Sequence, residues 1–599
     1  MKTALKKIFL ALFVAISICG NEIAYASPES APSVWPLIMS TYLGGSGQEG
    51  SHEFPFFMDA VEDSRGNLIV AAITTSTDLP TIPGNYQCTT CGGIDIWIAK
   101  LSPDLTSILA MVKLGGNGED TYPEIALGNG GRIYILARTT STNYPSTAGA
   151  YSTSRRGPTD FVITAFDSLL STIVASTYFG GYGNEDFPNM VIGTDGDIYV
   201  SGHVDANRVP TTPGAFQTTF AGGGSDCFVS RFSPNLDTLK ASTLIGGRYF
   251  ETSGDIDLFP NGDVVIGLGT DSDNYPTTAG AYATALHGQV IPGENVDCAI
   301  SRFNSNLTAL VASTYVGGDD HDRVTCIETD GDGNLWFAGI AFSMEYPVSA
   351  GAFDTGHNPI GQHEEFVTRL NGSLTQLLAS TFLSPNFTAG GIPQINDLLL
   401  DPSGLVYVTG LAWDSIYMTP DAYDPTWNAS VDHFLMVLTN ELSQVIYSTL
   451  IGGTDFESDS KTVSVRNGIA TIVGVSTSVD YPTTTNALYP SFQGGASDIT
   501  VTKLGIASAD CCSGRVGDAN MSGEVEPDEV TLGDIMLMVD VKFISGDCSK
   551  LPCVAEADVN QDGGTDPTCD DHVTLGDIMT LVDFLFITGP ENATLPACL

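Results

Sequence analysis

From residue 34 to residue 504 short apolar runs alternate with clusters of Gly, Pro, Asn and Asp, and they recur in register. Ser176 to Gly181 reads STYFGG, and the run returns at Ser40 to Gly45, Ser242 to Gly247, Ser313 to Gly318 and Ser448 to Gly453. Met111 to Gly116 (MVKLGG) and Ser380 to Pro385 (STFLSP) are altered copies, and successive starts lie 65 to 71 residues apart. A near-constant period of that length marks one supersecondary unit built repeatedly. Each unit shows four phases. The STYxGG strand ends at its glycines. A hairpin follows around an Asp/Asn-Gly turn, as in Thr194-Asp195-Gly196-Asp197 before Ile198 to Gly202. Such turns require positive φ and join antiparallel neighbours. Next comes a Pro/Gly loop such as Asn274 to Tyr282, whose aromatic is expected to plug back onto the sheet. The last phase is a strand such as Asp226 to Phe232, apolar on both faces, as where sheets pack face to face.

About four antiparallel strands repeated seven times predict a mainly β chain, a seven-bladed β-propeller. The first STYxGG strand has no last-phase strand before it, and the last-phase strand Asp498 to Leu504 has no STYxGG strand after it. Their pairing would complete the seventh blade from both termini and leave no sticky open edge.

The pattern LGG, then D-x-x-G-x-I-Y-V-x-G, YPTT-x-GAY and D-x-F-V-x-R-F resembles the SBBP repeat of bacterial extracellular propellers over residues 34–504. The resemblance implies a fold and leaves function open, because propellers host binding, scaffolding and catalysis alike.

The ends differ from the repeats. Lys2, Lys6 and Lys7 precede an apolar run from Ile8 to Ile18, and Ala24-Tyr25-Ala26 offers small residues for cleavage, so residues 1–26 read as a signal peptide. Eleven apolar residues are too few to span a bilayer, and no later stretch reaches spanning length. The mature chain is therefore expected to be secreted, in the medium or at the cell surface. Export permits disulfides among the cysteines that follow Cys19. Cys88 and Cys91 read as a local bridge or free pair rather than a redox centre, and Cys227 and Cys298 as buried apolar positions within strands.

After a linker at 505–516, residues 517–599 carry an internal duplication. Val530-Thr-Leu-Gly-Asp534 through Gly546 matches Val573-Thr-Leu-Gly-Asp577 through Gly589. Ile535, Met538 and Val539, and again Ile578, Leu581 and Val582, keep helical spacing up to glycines suited to C-caps. Ahead of each helix stands an acidic loop, Asp518-x-Asn520-x-Ser522-Gly523 and Asp558-x-Asn560-x-Asp562-Gly563. Oxygen ligands at loop positions 1, 3 and 5 with glycine at 6 form the first half of an EF-hand-type calcium loop. Position 12 is Glu529 in the first loop but Cys569 in the second. The duplicated Val-Thr-Leu-Gly-Asp favours Asp534 and Asp577 as closing ligands; Glu529 is the alternative. Two Ca2+ ions are expected.

The paired loop-helix halves resemble a type I dockerin, which implies a small all-α module that folds on two calcium ions and docks onto a cohesin. Ile535, Met536, Ile578 and Met579 stand where that family carries its Lys/Arg or Ser/Thr recognition pair. Calcium binding is thus better matched than cohesin binding, and a calcium-stapled cap without a partner is the bland alternative.

Seventy acids against 23 Lys plus Arg give a net charge of −47, which repels nucleic acid and anionic membrane surfaces and suits cation binding. No HExxH and no GxSxG occurs. The acids after the glycines (Glu119, Asp120, Glu185, Asp186, Asp319, Asp320 and Asp455) recur blade by blade, which favours a structural role. Asp226, Asp297 and their kin are expected to cap strand starts. The cluster around His321, in Asp319-Asp320-His321-Asp322-Arg323, breaks the repeat pattern and reads as solvated surface. An enzyme would gather non-repeating acids or histidines in one funnel mouth, and the sequence displays no such group.

The expectation is therefore a non-catalytic interaction or scaffold protein. The propeller is its platform for a glycan or protein ligand. The calcium module tethers it to a cohesin-like or other extracellular partner. The alternatives are a carbohydrate-active enzyme with acid and base carboxylates in the funnel and a purely structural surface or adhesion component.

Overall fold

The computed structural model describes residues 35–505, apart from 51–57, 90, 206–208, 288–295, 357–362, 385–392, 402–403, 415, 429 and 467. The predicted signal peptide and the calcium module, with Asp518, Asn520, Ser522, Glu529, Asp534, Asp558, Asn560, Asp562 and Asp577, lie outside the described residues. Among the described residues no helix is long and apolar enough to cross a membrane.

Seven four-stranded antiparallel sheets form the described chain. Each blade ends with a STYxGG strand or one of its altered copies. Blade three runs Glu185–Ile192, Ile198–Val204, Asp226–Phe232 and Leu239–Ile245. The first strands of successive blades pack against one another around a full circle, and that of blade seven (Glu457–Arg466) meets that of blade one (Met58–Glu62). They therefore surround the axis, and the STYxGG strands form the rim.

Blade seven closes as the sequence predicts. Leu37–Leu43 pairs antiparallel with Asp498–Gly505, with Thr41 opposite Val501 and Leu43 opposite Ile499. The borrowed strand repeats the contacts of the internal ones. Tyr42 donates its hydroxyl to Ser478 O at 2.7 Å and accepts the Tyr481 N–H. Tyr315 likewise donates to Ser272 O at 2.6 Å in blade four.

The Pro/Gly loops divide their two aromatics. The first tyrosine plugs its own sheet, as expected: Tyr144 is buried with its hydroxyl 3.1 Å from Thr164 Oγ1. The second leaves its blade. The N–H groups of Tyr151, Phe216, Tyr282 and Phe353 donate to Leu236, Leu307, Leu374 and Leu442 O of the following blade at 2.8–3.0 Å. Those leucines are fully buried in left-handed backbone, φ 54–56°. A conformation costly for leucine recurs because it turns the carbonyl toward the neighbouring blade.

The glycine pairs have a steric origin. The acid that starts the third strand of one blade and the acid that starts the next blade are both fully buried over the first glycine. The pairs are Asp95/Asp120, Asp160/Glu185, Asp226/Glu251, Asp297/Asp322, Asp432/Glu457 and Asp498/Glu49. A methyl group on Gly452 would stand 2.1 Å from Asp432 Oδ1 and 2.9 Å from Glu457 Oε2. The acids read as strand caps, and Asp120 and Glu185 among those read as turn residues, thus belong to carboxyl pairs joining blades. One oxygen is held by donors: Gly181 N–H on Glu185 Oε1 at 2.9 Å, Ser476 on Glu457 Oε1 at 2.8 Å, His287 N–H on Asp297 Oδ2 at 2.8 Å. The other oxygen (Glu185 Oε2, Glu457 Oε2, Asp297 Oδ1) has no hydrogen-bond partner. The altered copy STFLSP has Ser384 at the glycine position, and no acid stands between Ser384 and Asp397. Glycine and second acid are lost together.

Burial, with the neighbouring carboxyl adding to it, raises Glu185, Asp297 and Glu457 to about 8. Cys227 and Cys298 are buried free thiols within their strands, as expected, and Cys88 is bridged to Cys91.

Two outcomes follow. Gly452→Ala should destabilise the fold by about 1–3 kcal/mol through overpacking, whereas Gly331→Ala, with open space around it, should be near neutral in chemical denaturation. Glu185, Asp297 and Glu457 are raised to about 8 from unfolded values near 4, so the folded state binds more protons between pH 4 and 8, and stability falls as pH rises through that window. Thermal unfolding should show a falling midpoint from about pH 4.5 to 8, with a shallower fall in Glu457→Gln.

Candidate ligand-binding site at the channel mouth

The first strands pass around the axis, and one position, opposite the fourth residue of the second strand, carries an acid in blades one, two, four and six. Asp59, Glu124, Asp255, Asp257, Glu328 and Asp397 come from blades one, two, four, five and six, and Lys461 from blade seven. A group of acids does gather on the channel wall, but Asp59, Glu124, Asp255 and Asp397 share one repeat position and are not the non-repeating group expected of an enzyme. The sequence hides the gathering because each blade contributes one or two acids, separated from the rest by a whole repeat.

Asp59 Oδ1 lies 2.6 Å from Lys461 Nζ, and Asp59 Oδ2 accepts the Ile125 N–H of blade two at 2.8 Å. Asp255 accepts Ile327 N–H at 3.0 Å, Asp257 accepts Thr329 N–H at 2.7 Å, and Asp397 accepts Thr462 N–H at 3.0 Å. Each stitches its blade to the next. Against the cost of burial, Asp59, Glu124 and Asp397 push the Lys461 ammonium pKa up. Confinement, with Lys461 opposing and Asp255 adding, lifts Asp397 to about 7. Confinement, and then the neighbouring Asp59, push the Glu124 carboxyl well above its usual range. Among the described residues no group of three or more His, Cys, Asp or Glu is placed to hold a metal ion.

At one end the channel opens into a cavity of about 260 Å³ lined by residues of blades two to six. Glu124 and Asn189 line both this cavity and the narrow channel space beneath it. Tyr122 and Phe187 wall the cavity with ring centroids 5.9 Å apart. Both residues have left-handed backbone, φ 55° and 54°, beside a register slip in their strands. Each is followed by proline, Pro123 or Pro188. Left-handed backbone is uncommon for aromatic residues and clusters at functional sites, so the mouth holds its rings against local strain.

The ring contacts continue outward from Phe187 to His203 at 5.2 Å and from His203 to Phe250 at 6.4 Å. Phe187 is 40% and Phe250 38% exposed, so the rings form an open track. Arg323, from the cluster read as solvated surface, lines the opposite wall. Its neighbour His321 remains at the edge, against Phe342 at 6.0 Å. Sequence reasoning missed Tyr122, Phe187 and Arg323. The signal available was the aromatic-proline pair two residues after a blade's first acid, in Asp120-Thr-Tyr-Pro and Glu185-Asp-Phe-Pro.

A scan against protein-family models finds no match, and a search of curated proteins finds none. Solved structures do align. The polysaccharide lyase Uly1 matches at TM-score 0.40 and 8% identity, over 79% of this chain and 98% of that one. The GH93 α-L-arabinofuranosidase of Fusarium graminearum, in complex with arabinobiose, matches at TM-score 0.33 and 12% identity, over 62% and 92%. A protein of unknown function from Dyadobacter fermentans matches at TM-score 0.35 and 12% identity, over 65% and 95%. The propeller assignment stands on the seven closed sheets themselves.

The strain gives a direct expectation. At positions 122 and 187 glycine should be more stable than alanine by about 1 kcal/mol, because only glycine enters left-handed backbone freely. Urea unfolding of Tyr122→Gly against Tyr122→Ala checks it; equal stability would show that no strain is held there.

Proposed function

We propose that this chain is an exported, non-catalytic interaction protein. Its seven SBBP-type repeats form a platform that takes a ligand at the channel mouth. Its C-terminal dockerin-like module folds on two calcium ions, held by Asp518, Asn520, Ser522 and Asp534 and by Asp558, Asn560, Asp562 and Asp577, and tethers the propeller to a cohesin-type or other surface partner. The observation that carries the platform reading is the cavity walled by Tyr122 and Phe187 in strained backbone. A protein using the propeller as a bare spacer gains nothing from two aromatic side chains held open at a cost of the order of 1–3 kcal/mol each.

A second reading, a carbohydrate-active enzyme, is favoured by Glu124. Its carboxyl lines the cavity and is pushed up by confinement toward the protonated form a general acid needs, with Asp255 and Asp397 also on the channel wall. Within it Glu124 donates the proton to the leaving oxygen.

Calcium binding to the full mature chain tests the tether. Two ions per chain are expected, and Asp518→Ala and Asp558→Ala should each remove one. Loss of an ion in Asp534→Asn but not Glu529→Gln would identify the closing ligand. Pull-down by the immobilised chain from envelope and medium, run with calcium and with chelator, should retain its partner with calcium alone, and the double variant Asp518→Ala, Asp558→Ala should retain none. Retention unaffected by chelator would overturn the calcium tether. Incubation with polysaccharides should release no product; product formation abolished in Glu124→Gln would replace the first reading with the second.

A further inference from the structure

Beyond the platform reading, on which this inference rests, the mouth carries enough chemistry to name a ligand class. Three features meet there. The first is the aromatic track, Tyr122 to Phe187 to His203 to Phe250, which leaves the channel mouth and crosses from blade two to blade four in steps of 5.2–6.4 Å. Flat apolar faces in a row fit a chain of rings with apolar faces and polar edges better than they fit one compact molecule. The second is the polar lining. Asn189, Thr252, Thr325 and Gln394 offer amides and hydroxyls around the cavity, groups that pair with hydroxyl-rich ligands. The third is Arg323. It is exposed on the cavity wall and forms no ion pair among the described residues.

In a chain with 70 acids and 23 Lys plus Arg, carboxylates to pair with are abundant. Arg138, on the neighbouring strand of blade two, is paired to Asp186 at 2.5 Å, and Arg231, Arg302 and Arg369 are paired at 2.6–3.3 Å. A guanidinium left open over a cavity in such a chain is placed for an anion from outside, which it grips through two parallel N–H donors. The overall negative charge does not forbid this. Charges farther than about 10 Å are largely screened at 0.1 M salt, and among the described residues Glu124 is the one acid that lines the cavity.

We propose that the channel mouth binds an extended glycan whose sugar rings lie along the Tyr122–Phe187–Phe250 track and carry an acidic group, carboxylate or sulfate ester, that pairs with Arg323. Arg323 is then the specificity-determining residue and the rings supply sequence-independent grip. The distal ring, Phe250, lies in the loop that opens blade four, so the ligand must span several sugar units; a monosaccharide gains only part of the contact.

The test uses the full mature chain and three oligosaccharides of equal length: oligogalacturonate, a sulfated carrageenan oligomer and cello-oligosaccharide. Titration calorimetry at 0.1 M salt reads the affinity. One of the two acidic oligomers is expected to bind at least tenfold tighter than the neutral one, and which one distinguishes carboxylate from sulfate. Arg323→Gln should abolish that preference, Arg323→Lys should restore part of it, and Phe187→Ala should weaken acidic and neutral ligands alike. Arg65→Gln, on an exposed turn outside the cavity, should change nothing. Thermal unfolding of each variant confirms that the fold is intact. Equal affinity for neutral and acidic oligomers, or an Arg323→Gln variant that keeps the preference, overturns the acidic-ligand inference; loss of that binding in Phe187→Ala leaves the platform reading standing. Binding unaffected by Phe187→Ala removes the platform itself, and no binding of any oligomer overturns the glycan proposal.

Discussion

Everything in this molecule depends on a ring that must close. A propeller blade buries both faces only when it has a neighbour on each side, and an open ring would expose two sheet faces and two strand edges. Closure here is made by Leu37–Leu43, donated from the N-terminal end to a sheet whose other three strands come from the C-terminal end of the propeller. That strand makes the hydroxyl contacts of an internal blade, Tyr42 to Ser478 standing for Tyr315 to Ser272. The seventh blade therefore tethers residues more than 450 apart in sequence, Thr41 and Val501 among them.

Between blades the rim and the interior use different devices. At the rim a loop N–H reaches a leucine carbonyl in the next blade. The leucine must enter left-handed backbone to offer it, and its complete burial offsets the strain. Farther in, two carboxyl groups meet over a glycine that leaves no room for a methyl. Among the described residues the one basic partner of these acids is Lys113, 3.2 Å from Asp95 in the copy reading MVKLGG. At Glu185, Asp297 and Glu457 one oxygen keeps a donor, and burial raises the carboxyl toward its protonated form. These pairs explain an abundance of acids that composition alone attributes to solubility or cation binding.

At the axis the first strands meet other blades' side chains across a narrow space. Asp59, Glu124, Asp255 and Asp397 hold one repeat position in four blades and gather with Lys461, while Tyr122, Phe187 and Arg323 shape the opening above them. The same Asp-bearing strands also stitch blades through backbone N–H groups, so the charged channel is part of the ring's cohesion as well as the floor of the candidate site.

The sequence by itself determined the blade count, the strand order within each repeat and the split seventh blade. These depend on local signals, turn glycines and apolar runs, that the period of 65 to 71 residues displays in register. It also marked Cys227 and Cys298 as buried and the acids after the glycines as structural. Only the tertiary structure decided that Asp226 meets Glu251, that Tyr151 clasps Leu236, and that Glu124, Phe187 and Arg323 share one cavity. The physical reason is the ring itself. It brings positions one or more repeats apart to a common axis, and no local pattern records which inward side chains will face each other once the circle is closed.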